Sequence, residues 1–408
     1  MRNSRPPAIS LYSQIYCLCT IKNYIIPITF IPFVLRYTER VNGHAHLKEE
    51  LFLKKKRIAF SLAAYLLAAS VVLPIAPHTV LAASSDTSVI TNITRALEQK
   101  KTSFTLQMSS SQAERVLSLI DSAITKAEPY ARYTVDQFEM STETSGNQAT
   151  VTFSASYLEN KQQADYVTAQ VKATLKSIIK PGMTSEDKIK AIHDYIVAKF
   201  AYDESLTRYS AYDGLTEGTT VCQGYALLGY RMLNLAGIET KIVEGYAGGD
   251  LHVWNKVKLN GNWYNIDLTW DDPTPDRKGE VSYGYYMVTD KLLARDHTWK
   301  QKDYPAAATD YRAQLVQKSA SNAASRSLLN AIGGEITSTK MTLQKKVLSA
   351  VNSKKTTLTL THDFGSSQPD SLIEQVLNSL SGTSVQQYQY GYQIADNGIA
   401  TVQFTFVY

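Results

Sequence analysis

Between residues 181 and 269 the spacing of apolar positions changes repeatedly, and each change predicts an element. After the break at Pro181 and Gly182, Ile189, Ile192, His193, Ile196, Val197 and Phe200 recur at intervals of three and four. That spacing lines one face of a helix ending near Ala201, and Thr184 is placed to cap its start. A second helix is expected over about 221–236, with Thr220 as its N-cap and Gly237 as its stop. Residues 238–244 read as a strand and 245–250 as a loop containing Gly248 and Gly249. The clearest hairpin follows, with strands over 251–259 and 262–269 joined by Asn260 and Gly261, the dipeptide that best tolerates the left-handed backbone of a two-residue turn.

That turn sets the register. It opposes Trp254 to Asp267 and His252 to Thr269, so His252, Trp254, Asn265 and Asp267 share one face. Val253, Val257, Tyr264, Ile266 and Leu268 share the other, which reads as the core face. His252 and Asp267 become diagonal neighbours about 7 Å apart at Cβ, within reach of a carboxylate–imidazole hydrogen bond. A turn one residue longer or shorter would put them on opposite faces.

Two similar stretches flank this region. Ala96-Leu97-Glu98-Gln99-Lys100-Lys101-Thr102-Ser103-Phe104-Thr105-Leu106 aligns with Ala350-Val351-Asn352-Ser353-Lys354-Lys355-Thr356-Thr357-Leu358-Thr359-Leu360. Each is followed by a helix-like stretch and a closing strand, Ala149-Thr150-Val151-Thr152-Phe153 in one and Ala400-Thr401-Val402-Gln403-Phe404 in the other. The pattern predicts a small α+β module used twice, over 83–175 and, after a linker, within 306–408. Neither copy concentrates His, Cys or paired acids, so binding or positioning is the expected role.

Composition changes the picture at the N-terminus. Lys54-Lys55-Lys56-Arg57, an apolar run over 58–73 and Val80-Leu81-Ala82 read as a signal peptide over 51–82. Residues 1–50 then form either a mis-assigned start or an N-terminal extension, whose apolar stretch over 25–35 is short and broken by proline. Residues 1–82 hold 10 of the 42 basic and 3 of the 37 acidic residues. The mature chain therefore carries 32 basic against 34 acidic residues, about −2 in place of +5, and nucleic-acid binding is not expected. No stable membrane insertion is expected after cleavage, and a secreted or wall-associated protein follows. Of the three cysteines, Cys17 and Cys19 precede the cleavage site and Cys222 is left alone. One cysteine in an exported chain of this length fits a Gram-positive host that does not rely on extracellular disulfides.

A lone thiol at a helix start has chemistry open to it. Backbone N–H groups and the positive end of the helix dipole favour a thiolate there, and the same amides can hold an oxyanion. A carboxylate that orients a histidine, with the other ring nitrogen aimed at the thiol, completes what a cysteine nucleophile needs. Cys222, His252 and Asp267 are the candidates. Sequence alone does not show that the helix start and the hairpin meet.

The runs Gly218-Thr219-Thr220-Val221-Cys222-Gln223-Gly224-Tyr225-Ala226, Leu251-His252-Val253-Trp254-Asn255-Lys256-Val257 and Gly261-Asn262-Trp263-Tyr264-Asn265-Ile266-Asp267-Leu268-Thr269-Trp270-Asp271-Asp272-Pro273 resemble the transglutaminase-like superfamily. They are most similar to its bacterial secreted branch, related to kyphoscoliosis-type peptidases. The resemblance covers about 180–305, including Ile192-His193-Asp194-Tyr195-Ile196, a closing strand Tyr283-Gly284-Tyr285-Tyr286-Met287, and Asp296-His297. It implies an α+β, papain-like domain in which the nucleophile's helix packs on an antiparallel sheet. It also implies Cys222 as nucleophile, His252 as general base and acid, and Asp267 as the orienting acid, acting on peptide or glutamine carboxamide bonds through a thioester. Extracellular proteins and cell-wall peptides are the expected substrates; no cofactor or metal is implied.

Other chemistry-bearing residues read as structural. His193, on an apolar helix face, is expected to be a hydrogen-bonded core histidine, and His297 to tie down a loop. Trp254, Trp263 and Trp270 are expected as core or rim packing, Asp271 and Asp272 as solvated turn acids, and Tyr388, Tyr390 and Tyr392 as one half-buried strand face. Water or an amine can resolve the thioester, so hydrolysis and crosslinking both stay open. A non-catalytic wall-binding or partner-binding scaffold is the alternative, and oligomeric state is not encoded in any pattern found.

Overall fold

The chain divides into two units, residues 1–161 and 162–408. This computed structural model describes residues 85–408 and, upstream of them, only the strand backbones of Thr20–Ile21, Tyr24–Ile25, Tyr37–Val41, His44–Lys48 and Val80–Ala82. The remainder of the expected extension and signal peptide lies outside the described residues. Among the described residues no helix is long and apolar enough to cross a membrane.

In the first unit, α1 (Asp86–Glu98) starts at Ser85, whose hydroxyl accepts the N–H of Ser88, and ends as Lys100 takes a left-handed φ of 53°. Strand β1 (Ser103–Ser109), helix α2 (Val116–Lys126) and the hairpin β2 (Val135–Ser145) and β3 (Gln148–Tyr157) follow. The long strands pair antiparallel in the order β2-β3-β1, with Tyr37–Val41 parallel to β2 and Val80–Ala82 parallel to β1. Alternating positions Phe104, Leu106 and Met108 and, opposite them, Val151 and Phe153 form a core with Ile93, Leu97, Leu119 and Ile120 of the helices.

The second unit opens with α3 (Lys161–Ile178) and α4 (Ser185–Lys199), the latter capped reciprocally by Thr184 and Asp187. Two short parallel strands, β4 (Ala201–Tyr202) and β5 (Thr219–Thr220), bracket α5 (Ala211–Glu217) and deliver the chain into α6 (Cys222–Leu235). Strands β6 (Thr240–Ala247), β7 (Asp250–Leu259) and β8 (Asn262–Ile266) come next, then α7 (Asp290–Leu293) and β9 (His297–Thr298). They form an antiparallel sheet in the order β8-β7-β6-β9. Helix α6 lies against β7 at Gly229, where a Cβ would sit 2.5 Å from Asn255 Oδ1 and from Leu268 Cδ1.

Asn260 and Gly261 have φ of 50° and 84°, and the pairs Leu259–Asn262 and Asn255–Ile266 follow the expected register. Four details differ from the sequence expectation. Strand β6 runs on to Ala247, which pairs with Asp250, so the expected loop shrinks to Gly248 and Gly249 with φ of 60° and 98°. Strand β8 stops at Ile266 instead of Thr269, because Asp267 Oδ1 accepts the N–H groups of Thr269 and Trp270 at 3.0 and 3.1 Å and turns the chain out of the sheet. The segment 283–287 is a turn, not a strand: Tyr285 N–H donates to Asp271 Oδ1 and Met287 adopts φ 56°, leaving a single bridge from Val288 to Asn265. Finally, the His252–Trp254 face is also a core face, since Trp254 packs with Val243, Tyr285, Val288 and Leu293 under Trp270 and Trp299.

Helices α8 (Tyr311–Ser319) and α9 (Ala323–Ala331) lead to β10 (Ile336–Thr337), α10 (Lys340–Asn352), β11 (Thr357–Asp363), α11 (Pro369–Leu377), β12 (Gln387–Ile394) and β13 (Ile399–Val407). The sheet order is β10-β11-β13-β12. Here too a helix, strand, helix and hairpin follow one another, and the last strand lies between the other two long ones. Lys354, aligned with Lys100, has φ 52°.

Candidate active site

Cys222 is the first residue of α6, and Val221, not Thr220, is the N-cap. Thr220 is drawn away because β5 pairs with β4, and its hydroxyl lies on the carbonyls of Arg208 and Ser210 at 3.1 and 3.2 Å. No side chain among the described residues caps the helix start beside the half-buried thiol, so the positive end of the helix dipole faces it.

His252, on β7, reaches the same place. Its Nε2 is 2.6 Å from Asp267 Oδ2, and Cys222 lies close enough to favour the charged form of its ring. With Nε2 committed to the carboxylate, Nδ1 is the nitrogen left for sulfur. The structure therefore brings together the three residues singled out in the sequence. Burial opposes charge on His252, but Asp267 and then Cys222 outweigh it and push the imidazole up to about 10. Burial would raise Asp267; His252 first, and His297 after it, hold its carboxyl well below the usual carboxylate range. At neutral pH the pair is imidazolium and carboxylate.

His297 is the neighbour of Asp267 that sequence reasoning missed. Strand β9 pairs it with Ala247, and it is fully buried with Nε2 3.0 Å from Asp267 Oδ2 and Nδ1 2.5 Å from Asp296 Oδ1. It therefore holds the Asp267 carboxylate in addition to tying down the chain at Asp296. Its presence in the family-like block was the only available signal. His252, Asp267 and His297 put ligand atoms within 4.8 Å of one another, a spacing a cation would accept, but both Nε2 atoms and the shared Oδ2 already bond to each other.

The remaining candidates separate. His193 is buried between Asp194 Oδ1 at 3.1 Å and Asp271 Oδ2 at 3.0 Å, in the core as expected. Asp271 and Asp272 are not solvated. Asp271 takes His193 and the Tyr285 N–H, and Asp272 takes the Tyr225 hydroxyl at 2.5 Å, so folding of the turn back onto α4 and α6 buries both. Burial pushes the Asp272 carboxyl up to about 7. Trp254 is buried and donates to Asn265 Oδ1 at 3.2 Å. Trp270, half-buried, packs at 4.7 Å from His297 and 6.0 Å from His252, while Trp263 sits at the other end of the hairpin under Lys241 and Lys258. Tyr390 and Tyr392 are half-buried with hydroxyls on Asp370, and Tyr388 is exposed.

Residues 172–268, the stretch that carries α4, Cys222, His252 and Asp267, match the family model of the transglutaminase-like superfamily. The chain carries a transglutaminase-like domain. The human kyphoscoliosis peptidase is 25% identical over 197 residues, which are 40% of this chain and 30% of that protein. Its mouse counterpart is 26% identical over 162 residues, 33% of this chain and 24% of that protein. The chain thus spans under a third of the length of the curated relatives it matches. Among solved structures, a TGase is similar at 16% identity over 41% of this chain and 51% of that one, with a TM-score of 0.19. The arylamine N-acetyltransferase NAT3 of Bacillus cereus is similar at 13% identity over 26% and 49%, with a TM-score of 0.21.

Proposed function

We propose that this transglutaminase-like protein is a secreted cysteine-dependent acyl-transfer enzyme acting on peptide or glutamine carboxamide bonds. The observation that carries the reading is a half-buried thiol at a helix start without a side-chain cap, beside a histidine whose Nε2 a buried aspartate holds.

In this reading the thiolate of Cys222 attacks the carbonyl carbon, and the amides at the start of α6 receive the oxyanion. His252, already an imidazolium, gives its proton to the leaving amine or ammonia as the C–N bond breaks, and a thioester remains. His252 is then neutral and takes a proton from the second nucleophile. Water as that nucleophile releases acid and free thiol; a primary amine yields a new amide. Asp267 stays ionised throughout and keeps Nε2 protonated. Proteins and wall peptides outside a Gram-positive cell are the substrates this assigns.

Incubating the mature protein with a glutamine donor and a labelled amine tests the branch. Incorporation supports crosslinking, and acid release without incorporation supports hydrolysis. Cys222→Ala should abolish either, a fall of about 10³-fold or more. Unchanged turnover in that variant overturns the reading, and wall binding that is equal in both proteins with turnover in neither favours a scaffold.

A further inference from the structure

The hydrogen bonds that lead from Asp267 away from the thiol continue without a break into the C-terminal module. His297 joins Asp267 to Asp296 through its two ring nitrogens. The other oxygen of Asp296 accepts the Tyr285 hydroxyl at 2.7 Å, and that hydroxyl accepts the backbone N–H of Asn397 at 3.1 Å. Asn397 lies in the turn between β12 and β13. Because its N–H occupies a lone pair of the phenol oxygen, the phenol proton is directed at Asp296. Because both nitrogens of His297 face carboxylate oxygens, the ring cannot flip without breaking two charge-assisted bonds.

The turn is clamped where it sits. Arg295 makes a two-pronged pair with Asp363 at 2.7 and 2.8 Å and donates to the Asn397 carbonyl at 3.1 Å. Asn397 is 3% exposed and donates from Nδ2 to the Gly284 carbonyl at 3.1 Å. Ala395 joins the cluster containing Trp254 and Tyr285, so close that a Cβ on Gly284 would meet its methyl at 3.1 Å. The matching turn of the first unit contains Gly146 and Asn147 alone between paired Ser145 and Gln148. The second copy has the longer turn over 395–398, between Ile394 and Ile399, and the extra residues make these contacts.

We propose that the 395–398 turn of the C-terminal module is a positioning element for the nucleophile site, holding the Asp267 carboxylate through Tyr285, Asp296 and His297. The proposal rests on the reading of Cys222, His252 and Asp267 as the catalytic residues. It makes Tyr285, Asp296, His297 and Asn397 positioning residues, and it gives one module copy a task in the reaction.

Alkylation of Cys222 by iodoacetamide in the mature full-length protein, followed from pH 5 to 9, tests this. Tyr285→Phe keeps the ring and removes the bridging hydroxyl; it should slow alkylation about tenfold at pH 6 and alter the pH profile, with the thermal transition lowered by a few degrees and the protein still folded at the assay temperature. Asp363→Asn, at the clamp, should slow it less, and the charge swap Arg295→Asp with Asp363→Arg should restore the rate. Tyr285→Phe combined with His297→Gln should be no slower than the slower single variant, as expected for one chain of contacts. If Tyr285→Phe and Asp363→Asn keep the wild-type rate and profile while His252→Ala is slow, the module is merely docked and the proposal falls alone. If His252→Ala also reacts at the wild-type rate, the catalytic reading falls and takes the proposal with it.

Discussion

His252–Asp267 and His193–Asp271 hang from a single turn, in which the N–H of Asp271 donates to the carbonyl of Asp267 at 3.1 Å. In both pairs a buried histidine gives Nε2 to a fully buried carboxylate, at 2.6 Å in the first and 3.0 Å in the second, and in both the imidazole is held above its ordinary range against the pull of burial. They differ at the second ring nitrogen. His193 spends it on Asp194, itself held by Lys190 and the Tyr283 hydroxyl, and its ring packs between Tyr283 at 5.1 Å and Tyr286 at 4.9 Å. On His252 that nitrogen has no carboxylate partner among the described residues, and Cys222 is the neighbour that favours the ring's charge after Asp267. Carboxylate pairing, burial and a raised imidazole therefore do not by themselves mark a histidine as reactive; what distinguishes the proposed catalytic His252 from His193 is the partner left to its remaining nitrogen.

The strongest way to break this comparison is to neutralise each acid in turn. Asp267→Asn should reduce turnover by about 10³- to 10⁴-fold. Asp271→Asn should leave turnover within tenfold but lower the unfolding free energy by about 3 kcal/mol, as loss of one partner does to a buried ion pair. Turnover assays beside urea unfolding curves read both quantities, and a folded Asp271→Asn protein as inactive as Asp267→Asn would erase the distinction.

Imidazole NMR sharpens it. His252 should stay protonated up to about pH 10 in the wild type, whereas in Asp267→Asn burial loses its main opponent and protonation should fall back toward or below 6.5. The linked stability is full below pH 6.5, the unfolded value, and is lost as pH rises through 10; on the acid side Asp267, being depressed, gives its full share above 3.8 and loses it progressively as pH falls from there through its lowered value. A wild-type His252 that titrates near 6.5 would contradict the pairing.

The smallest effect belongs to the neighbouring acid. Asp272 is raised to about 7, so its neutral form favours the fold, most fully below pH 3.8 and progressively less as pH rises to 7. Asp272→Asn should flatten the pH dependence of the urea midpoint over that window without altering Cys222 alkylation. An unchanged slope would show that the carboxyl is already ionised there.

Much of the site was legible because it depends on near neighbours along the chain. Asn260 and Gly261 dictate a two-residue turn, and the pleat then places His252 and Asp267 on one face. Even so, the stated route failed in part: Thr269 does not pair with His252, because Asp267 uses Oδ1 to pull two N–H groups into a turn and leaves Oδ2 for histidine. The carboxylate arrives where expected by capping a turn at the end of β8. Thr220 likewise has the right side chain for a cap and is diverted by strand pairing. Asp271 and Asp272 look like surface acids in sequence, since nothing adjacent to them reveals the buried His193 and Tyr225 that receive them.

What the sequence determined by itself is whatever follows from short-range rules: a helix over about 221–236 that stops before Gly237, the α4 face with its Thr184 cap, the Asn260–Gly261 register, and the family-like blocks around three spaced residues. Tertiary structure alone decided that the α6 start meets β7, that His297 shares the Asp267 carboxylate, that the second sheet face is closed by Trp254 and Tyr285, and that a turn more than a hundred residues downstream of Asp267 supports it. The physical reason is range. Backbone preference and side-chain alternation are fixed by atoms a few residues apart, whereas the partners of a buried charge are chosen by which distant segments pack together and which polar groups must be satisfied once water is excluded.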